Sequence, residues 1–370
     1  MAQTIFETMS ALCRETGAIN LGQGFPEMEE PPEIIAAARR ALAEQSNQYP
    51  PMRGLPALRE GLAAFYGVTS GEVIVTSGAT EALASSILAL VRPGDEVICI
   101  QPLYDAYLPL VERAGGVVRL VSLAPPLWTL DLEALAAAIT PKTRLIILNT
   151  PNNPTGTVLD RATLEGIGAL AQQHDLCVLS DEVWEASLLD GSAPVSVLSV
   201  PALRQRAVKI GSAGKIFSLT GWKIGWAVAA PALAERVAAS HQFITFTTPT
   251  PLQWAVAEGL ALGEAWRAAH RARYAASKAR LVQGLEAAGF VVLPAAGTWF
   301  VTVDLATSGL PPRDAEIAER LVREVGVGSI PVSAFYAQGA ETGYLRLCHA
   351  KCAEVLDEAV RRLRAFRGGF

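Results

Sequence analysis

The residue of this sequence best suited to covalent chemistry is a lysine. Lys215 lies in the segment GSAGKIFSLTGWKIGW, directly after the apolar run AVKIG (residues 207–211). Small residues confine a lysine at the end of a strand and remove part of its hydration, which lowers its pKa and makes the amine a candidate nucleophile for Schiff-base formation. Taken by itself, a lysine in a loop is more often a solvated surface charge.

A second stretch is suited to binding an anion. SGATEAL (77–83) joins the apolar run EVIVT to a predicted helix, so the backbone amides of Ala79 and Thr80 lie at a helix N-terminus, where N–H groups point outwards. The cluster of Cys348, His349 and Cys352 lacks a second pair of ligands, and we predict no metal site there.

The elements that must position these residues follow an alternating pattern. Helical patterns at 79–91, 131–139 and 160–174 fall between apolar runs bounded by turn signals. The runs are EVIVT (72–76), EVICI (96–100), VVRLV (117–121), RLIILN (144–149), LCVLS (176–180), AVKIG (207–211) and IGWAVA (224–229). This alternation predicts an α/β fold with three layers, a mostly parallel sheet between helices, and functional residues just beyond the carboxyl ends of the strands.

The pattern changes after residue 230 and predicts a second, smaller α+β domain. Long helices, with an Ala- and Arg-rich stretch at about 264–289, precede short strands (FVVL, WFVTVD, YLRLC) and helices at 313–324 and 352–366. We divide the chain into an N-terminal arm that belongs to the small domain (1–32), a large domain (33–265) and a small C-terminal domain (266–370). Because of Pro31 and Pro32, we expect the arm to be extended.

The composition of the chain indicates which binding partners and which cellular compartment to expect. The 370 residues have a net charge of −5 and no basic cluster, so we expect neither nucleic acid nor membrane as a partner. The first residues, MAQTIFETMS, lack the basic and apolar regions of a secretory signal. Five scattered cysteines argue against a disulfide framework and favour a reducing cytoplasm.

Five segments together point to a family. They are LGQGFPE (21–27), NQYPPMRGLPALRE (47–60), NTPNNPTG (149–156), SDEVWE (180–185) and SAGKIFSLTGWKIGW (212–226). They occur in the order shown by fold-type I aminotransferases, which the chain resembles over essentially its whole length. It is similar to the subgroup of kynurenine aminotransferase, glutamine transaminase K, methionine aminotransferase and N-succinyldiaminopimelate aminotransferase.

The resemblance implies a pyridoxal 5′-phosphate (PLP) cofactor and assigns residues to it. Lys215 resembles the lysine that forms the Schiff base and moves the proton between substrate and cofactor. Asp181 resembles the carboxylate that keeps the ring nitrogen protonated, although an Asp after a strand can also simply cap a helix. Asn153 resembles the donor to the ring hydroxyl and a substrate-binding residue, and Tyr104 the aromatic residue stacked on the ring.

The resemblance also implies a phosphate site and a homodimer. Ser212 and Lys223 correspond to phosphate ligands beside the amides of Ala79 and Thr80. Tyr49 corresponds to a tyrosine that reaches across from the partner subunit, which implies active sites shared within a homodimer. A plain surface lysine is the alternative for Lys223.

The substrate site is assigned in the same way. Arg346, in YLRLCHAK, resembles the arginine that binds the substrate α-carboxylate, with the Gly24 backbone on the other side. Phe25, Phe246 and Trp299 are candidate liners of an apolar side-chain pocket, which favours neutral donors such as methionine, glutamine, kynurenine or phenylalanine. Arg53 keeps an acidic or N-succinylated substrate open as an alternative.

One position departs from the family pattern and bears on the alternatives. Trp184 stands where the family has a tyrosine that contacts the ring hydroxyl; the indole either takes over that contact or packs in the core. Dedicated Cβ–S lyases of this fold tend to have histidine there, so Trp184 argues mildly against that activity. A non-enzymatic PLP-binding regulator would need a fused DNA-binding module, for which we expect no room before the arm.

Overall fold

A computed structural model describes residues 4–337 and 342–369. The strands in chain order are β1 (Ile19–Asn20), β2 (Val73–Ser77), β3 (Glu96–Gln101), β4 (Val117–Ser122), β5 (Thr143–Asn149), β6 (Cys177–Asp181), β7 (Ala207–Ser212), β8 (Ile224–Ala229), β9 (Val291–Val292), β10 (Phe300–Asp304), β11 (Val327–Gly328), β12 (Ile330–Pro331) and β13 (Tyr344–Cys348). Each of the apolar runs between 72 and 229 coincides with a strand.

The helices of the structure include those predicted from the sequence. In chain order they are α1 (Ile5–Thr16), α2 (Pro32–Glu44), α3 (Pro56–Tyr66), α4 (Gly78–Leu90), α5 (Tyr107–Arg113), α6 (Leu132–Ala138), α7 (Arg161–Gln173), α8 (Ala213–Ile216), α9 (Pro231–His241), α10 (Thr250–Ala261), α11 (Gly263–Ala287), α12 (Asp314–Arg320) and α13 (Ala353–Arg367). The predicted helices after β2, before β5 and before β6 correspond to α4, α6 and α7.

The central sheet is mostly parallel, as predicted. Its strands lie in the order β2-β8-β7-β6-β5-β3-β4, and β8 alone runs antiparallel to both of its neighbours. Alternation along β5 explains the layers, because Leu145 and Ile147 pack into one apolar cluster while Ile146 and Leu148 pack into another on the opposite face. Helices cover both faces, so the α/β fold class is confirmed.

A second sheet belongs to the C-terminal part of the chain. It has the order β12-β13-β10-β9 and is antiparallel, with Thr302 of β10 opposite Arg346 of β13. Side chains of α11, α12 and α13 form one apolar cluster behind it. Helix α11 crosses the predicted domain boundary at 265/266, so the division into a large and a small domain remains a prediction.

The N-terminal arm contains a helix, which corrects the expectation that it is extended. Thr4 caps α1 by accepting a hydrogen bond from the backbone N–H of Glu7. Met9 and Cys13, four residues apart on one helical face, are buried in the cluster of the second sheet. That spacing was visible in the sequence, and the two prolines that suggested an extended chain lie further on, where Pro32 begins α2.

Candidate active site

A cavity of about 450 Å³ lies beyond the carboxyl ends of β6 and β7, between the central sheet, α1 and β13. Most residues predicted for the site line it, namely Gly24, Phe25, Ala79, Thr80, Tyr104, Asn153, Asp181, Trp184, Ser212, Lys215, Lys223 and Arg346. Tyr49, Phe246 and Trp299 do not line the cavity of this single chain.

Lys215 lines this cavity and is half-buried. It follows β7 within the single turn of α8. Its Nζ lies 4.5 Å from the centre of the Trp184 ring and 4.7 Å from that of Trp299. Desolvation lowers the pKa of Lys215 to about 8, so roughly a tenth of the amine is unprotonated at pH 7.

Asp181 ends β6 and is held as a hydrogen-bond acceptor. The Tyr107 hydroxyl donates to its Oδ2 at 2.8 Å, and the backbone N–H of Val183 donates to Oδ1 at 3.4 Å. Burial raises the pKa of Asp181, while the hydrogen bond from Tyr107 opposes that rise. Asp181 therefore lacks an ion-pair partner among the described residues and faces the cavity with a carboxylate whose charge is only partly compensated.

The opposite end of the cavity is built for an anion. Helix α4 begins at Gly78, and the Lys223 side chain lies so close that a Cβ added to Gly78 would meet its Nζ at 3.2 Å. Lys223 adopts a left-handed backbone conformation (φ 54°) that aims its ammonium group at this helix N-terminus. With Ser212 also lining the cavity, this end combines amides, a hydroxyl and a cation.

Arg346, on β13, is a buried guanidinium without a carboxylate. Its Nη1 donates to Asn153 Oδ1 at 2.7 Å, its Nη2 donates to the Gly22 carbonyl, and the group stacks 3.8 Å from the centre of the Phe300 ring. Its Nε has no partner among the described residues. Burial lowers the pKa of Arg346 to about 9, so an incoming carboxylate relieves an electrostatic cost.

The wall beside Arg346 is aromatic, while Gln23 and Asp105 also line the cavity. A Cβ on Gly24 would come within 2.6 Å of the Phe300 ring, so the close approach of this backbone to the cavity requires glycine. Phe25 is partly exposed beside it, and Phe6 at the start of α1 completes the wall. Tyr104 packs edge-to-face on Tyr107 and is hydrogen-bonded to Thr80.

Two residues predicted to line the side-chain pocket, Trp299 and Phe246, do not line the cavity of this chain. Trp299 is buried behind Trp184, with ring centres 4.9 Å apart, and its neighbour Phe300 faces the cavity instead. Thr298 has a left-handed backbone conformation (φ 71°) just before β10, which changes the direction of the strand entry. Phe246 packs edge-to-face on Tyr49 outside the cavity, with ring centres 5.8 Å apart.

A buried ionic network that sequence analysis missed supports the segment around Asp181 and Trp184. Lys209 Nζ lies 2.8 Å from carboxylate oxygens of both Glu182 and Glu185, and all three side chains are buried. The Tyr66 hydroxyl donates to Glu185 at 2.5 Å. The sequence contained a sign of this network, because Lys209 lies within the apolar run AVKIG, between the core residues Val208 and Ile210.

Comparison with known proteins identifies the family. The sequence matches the family described as Aminotransferase class I and II over residues 16–363. The chain belongs to the class I and II aminotransferases. Members of this family use PLP, and they act on amino acids and 2-oxo acids.

Relatives match this aminotransferase along nearly its full length. It is 40% identical to the methionine aminotransferase of Escherichia coli and 40% identical to a probable N-succinyldiaminopimelate aminotransferase of Mycobacterium tuberculosis, each over 98% of this chain and 96% of the relative. The solved structure of N-succinyldiaminopimelate aminotransferase from M. tuberculosis superposes with a TM-score of 0.94 at 41% identity, covering 98% of this chain and 97% of that one.

None of the helices in the described part of the aminotransferase combines the length and apolar character that a membrane crossing requires.

Proposed function

We propose that this aminotransferase holds PLP in the 450 Å³ cavity through a covalent bond to Lys215 and prefers neutral or aromatic amino acids as donors. One observation carries the proposal: a lysine of lowered pKa, the Asp181 carboxylate and an arginine without an ion-pair partner among the described residues line a single cavity. When bound, PLP supplies an electron sink for the electron pair left at the substrate Cα.

The residues around the reacting atoms have separate tasks. The unprotonated amine of Lys215 would hold the cofactor covalently; once the substrate amine has replaced it, the free amine would accept the proton from the substrate Cα and deliver it to C4′ of the cofactor. The Asp181 carboxylate keeps a proton on the ring nitrogen, and Tyr107 orients that carboxylate through its hydrogen bond. Asn153 donates to the ring hydroxyl from a backbone that Asn149 fixes, since Asn153 N–H donates to Asn149 Oδ1 at 2.8 Å.

The anion end fits a phosphate group. The amides of Ala79 and Thr80, the Ser212 hydroxyl and the Lys223 ammonium group offer donors and a positive charge in one place. The absence of a side chain on Gly78 keeps this space open. These residues would hold the phosphate of PLP in the same cavity that Lys215 and Asp181 line.

Three observations favour neutral donors. Arg346 is suited to the α-carboxylate, and the other cations that line the cavity, Lys215 and Lys223, have tasks towards the cofactor. Phe6, Phe25 and Phe300 form an aromatic wall, and Asp105, which also lines the cavity, would repel a second carboxylate on the substrate. Arg53 is ion-paired with Glu235 at 2.5 Å and donates to the Gly71 carbonyl at 3.1 Å, so its guanidinium is already engaged, which argues against its binding a distal carboxylate of the substrate.

We also propose a homodimer with shared active sites. Tyr49 and Phe243 are 82% and 86% exposed, and Ile244 and Phe246 lie beside them on the same surface. Exposed aromatic residues in a contiguous patch are typical of an interface. Tyr49 then reaches the phosphate end of the partner's cavity. Five free cysteines fit a cytoplasmic location.

The test is a single-turnover screen of the PLP-loaded enzyme with individual amino acids, followed by cofactor absorbance. We expect conversion to the amine form of the cofactor with methionine, glutamine, phenylalanine and kynurenine, and slow conversion with aspartate. Conversion only by aspartate or N-succinyldiaminopimelate would refute the neutral-donor preference, and pyruvate released from cysteine conjugates without the amine form would indicate a lyase.

The role of Lys215 is tested separately. Lys215→Ala should lose the absorbance of lysine-bound PLP and its conversion by any donor, because no other amine replaces it. Lys142→Ala, which removes an exposed lysine, is the matched control and should retain both. Retention of the bound-cofactor absorbance in Lys215→Ala would overturn the assignment.

A further inference from the structure

A buried histidine joins two parts of the candidate site. His241 is the last residue of α9 and is fully buried. Its Nδ1 lies 2.8 Å from Glu81 Oε1, and its Nε2 lies 3.0 Å from the backbone carbonyl oxygen of Met52. A carbonyl oxygen only accepts hydrogen bonds, so Nε2 must carry a proton.

The partner on the other side is also an acceptor. Glu81 Oε2 accepts the backbone N–H of Ser77 at 2.7 Å, and Oε1 accepts the Ser85 hydroxyl at 2.7 Å. Both carboxyl oxygens of Glu81 are therefore occupied as acceptors. Because Nδ1 faces an acceptor as Nε2 does, it donates as well, and the geometry is that of a doubly protonated, charged imidazole.

The two hydrogen bonds reach functionally distinct segments. Glu81 lies in the first turn of α4 and fixes the Ser77 amide, directly before the amides of Ala79 and Thr80. Met52 lies in the loop that carries Tyr49 three residues earlier. His241 therefore connects the phosphate end of the cavity to the segment expected to reach the partner subunit.

We propose that His241 is a positioning residue: as a cation it ties the 49–53 loop to the N-terminal turn of α4 and thereby fixes the phosphate-binding amides and Tyr49 relative to each other. This inference rests on the proposed function, in which the phosphate of PLP occupies that end of the cavity. His241 touches neither cofactor nor substrate and acts through Glu81 and Met52.

The arrangement makes the connection dependent on pH. Burial by itself lowers the pKa of His241, but the Glu81 carboxylate from α4 and the backbones of Met52 and Phe246 from the two adjoining loops outweigh it, so that the pKa is raised. The nearest ion pair on α9, Glu235 with Arg53, lies at the partly exposed end of the same loop. A raised pKa means that the connection is complete below 6.5 and is lost as the pH rises through the pKa of the folded protein.

The experiment measures PLP affinity of wild type and His241→Gln between about pH 6 and about pH 10. Glutamine donates to one of the two acceptors but carries no charge, so we expect PLP binding weakened on the order of tenfold near neutral pH. The difference should shrink at alkaline pH, where the wild-type imidazole has lost its proton. His174→Gln, at an exposed histidine, is the matched control and should follow wild type.

The outcomes separate the inference from the proposed function. Equal affinity and equal pH profile in wild type and His241→Gln would overturn the role of His241. A wild-type enzyme without lysine-bound PLP would instead overturn the proposed function. Should His241→Gln fail to fold, ring-nitrogen NMR of histidine-labelled wild type decides: two protonated nitrogens at neutral pH support the charged imidazole, and one protonated nitrogen refutes it.

Discussion

Arg346→Ala tests whether this arginine reads the substrate carboxylate. The guanidinium is 1% exposed, and within the described residues no carboxylate lies within ion-pair distance of it. Its contacts to Asn153 and the Gly22 carbonyl neutralise no charge. Arg346→Ala therefore removes a positive charge without breaking an ion pair among the described residues.

The size of the effect follows from the burial. Lowering the pKa of Arg346 from 12.5 to about 9 corresponds to an unfavourable free energy of about 5 kcal/mol, which a bound carboxylate recovers in part. Truncating one partner of a buried charge pair costs roughly 2–5 kcal/mol. We therefore expect kcat/KM for amino acids to fall by roughly thirtyfold to a few thousandfold, since 1.4 kcal/mol is about tenfold.

The assay compares each amino acid with the amine that lacks its carboxylate. Single-turnover rates of wild type and Arg346→Ala are measured with methionine and 3-methylthiopropylamine, and with phenylalanine and phenethylamine. The loss should appear with the amino acids and be nearly absent with the amines. PLP affinity and the melting temperature should stay close to wild type.

Equal losses with acids and amines would refute the reasoning, because Arg346 would then act on the structure of the site rather than on the carboxylate. Arg161→Ala is the matched control, since that arginine is about half exposed on α7 and should leave both substrate series unchanged.

Two further predictions concern the residues around Lys215. Tyr107→Phe removes a hydrogen bond that lowers the pKa of Asp181, so the pKa of this carboxyl group should rise further. We expect the acid limb of the pH–rate profile to move to higher pH and kcat to fall on the order of tenfold. An acid limb that does not move would contradict this role of Tyr107. Trp184→Leu removes one of the two aromatic faces near the Lys215 ammonium group, so the pKa of about 8 should fall and the pH midpoint for recombination of apoenzyme with PLP should move down. An unchanged midpoint would mean that Trp184 only fills space.

The sequence was most informative where function depends on residues placed just after a strand. Lys215, Asp181 and Ala79 each follow an apolar run, and parallel strands bring their carboxyl ends to one edge of the sheet. Their presence in one cavity could therefore be predicted from order and spacing. The family resemblance added Arg346 and Asn153, which are far apart in the chain and form a hydrogen bond in the structure.

The sequence was less informative about which side chains point into the cavity. Trp299 and Phe300 are adjacent aromatic residues, and only the turn at Thr298 decides which of them faces the cavity. Phe6 lies too far along the chain from the motifs to be connected with them, and it reaches the cavity because α1 packs against the second sheet. For Trp184 the sequence left open whether the indole contacts the cofactor or packs in the core. In the structure it lines the cavity and also packs against Trp299.

The sequence by itself determined the succession of strands along the chain and the positions of the candidate lysine and of the helix start after β2, because these follow from local patterns of polarity and from residue type. The tertiary structure alone decided the partners of buried polar groups. Tyr107 with Asp181, Lys209 with two glutamates, and His241 between Glu81 and Met52 join segments that are distant in sequence. A buried charge must find its partner in space, and sequence spacing does not encode which distant segment supplies it.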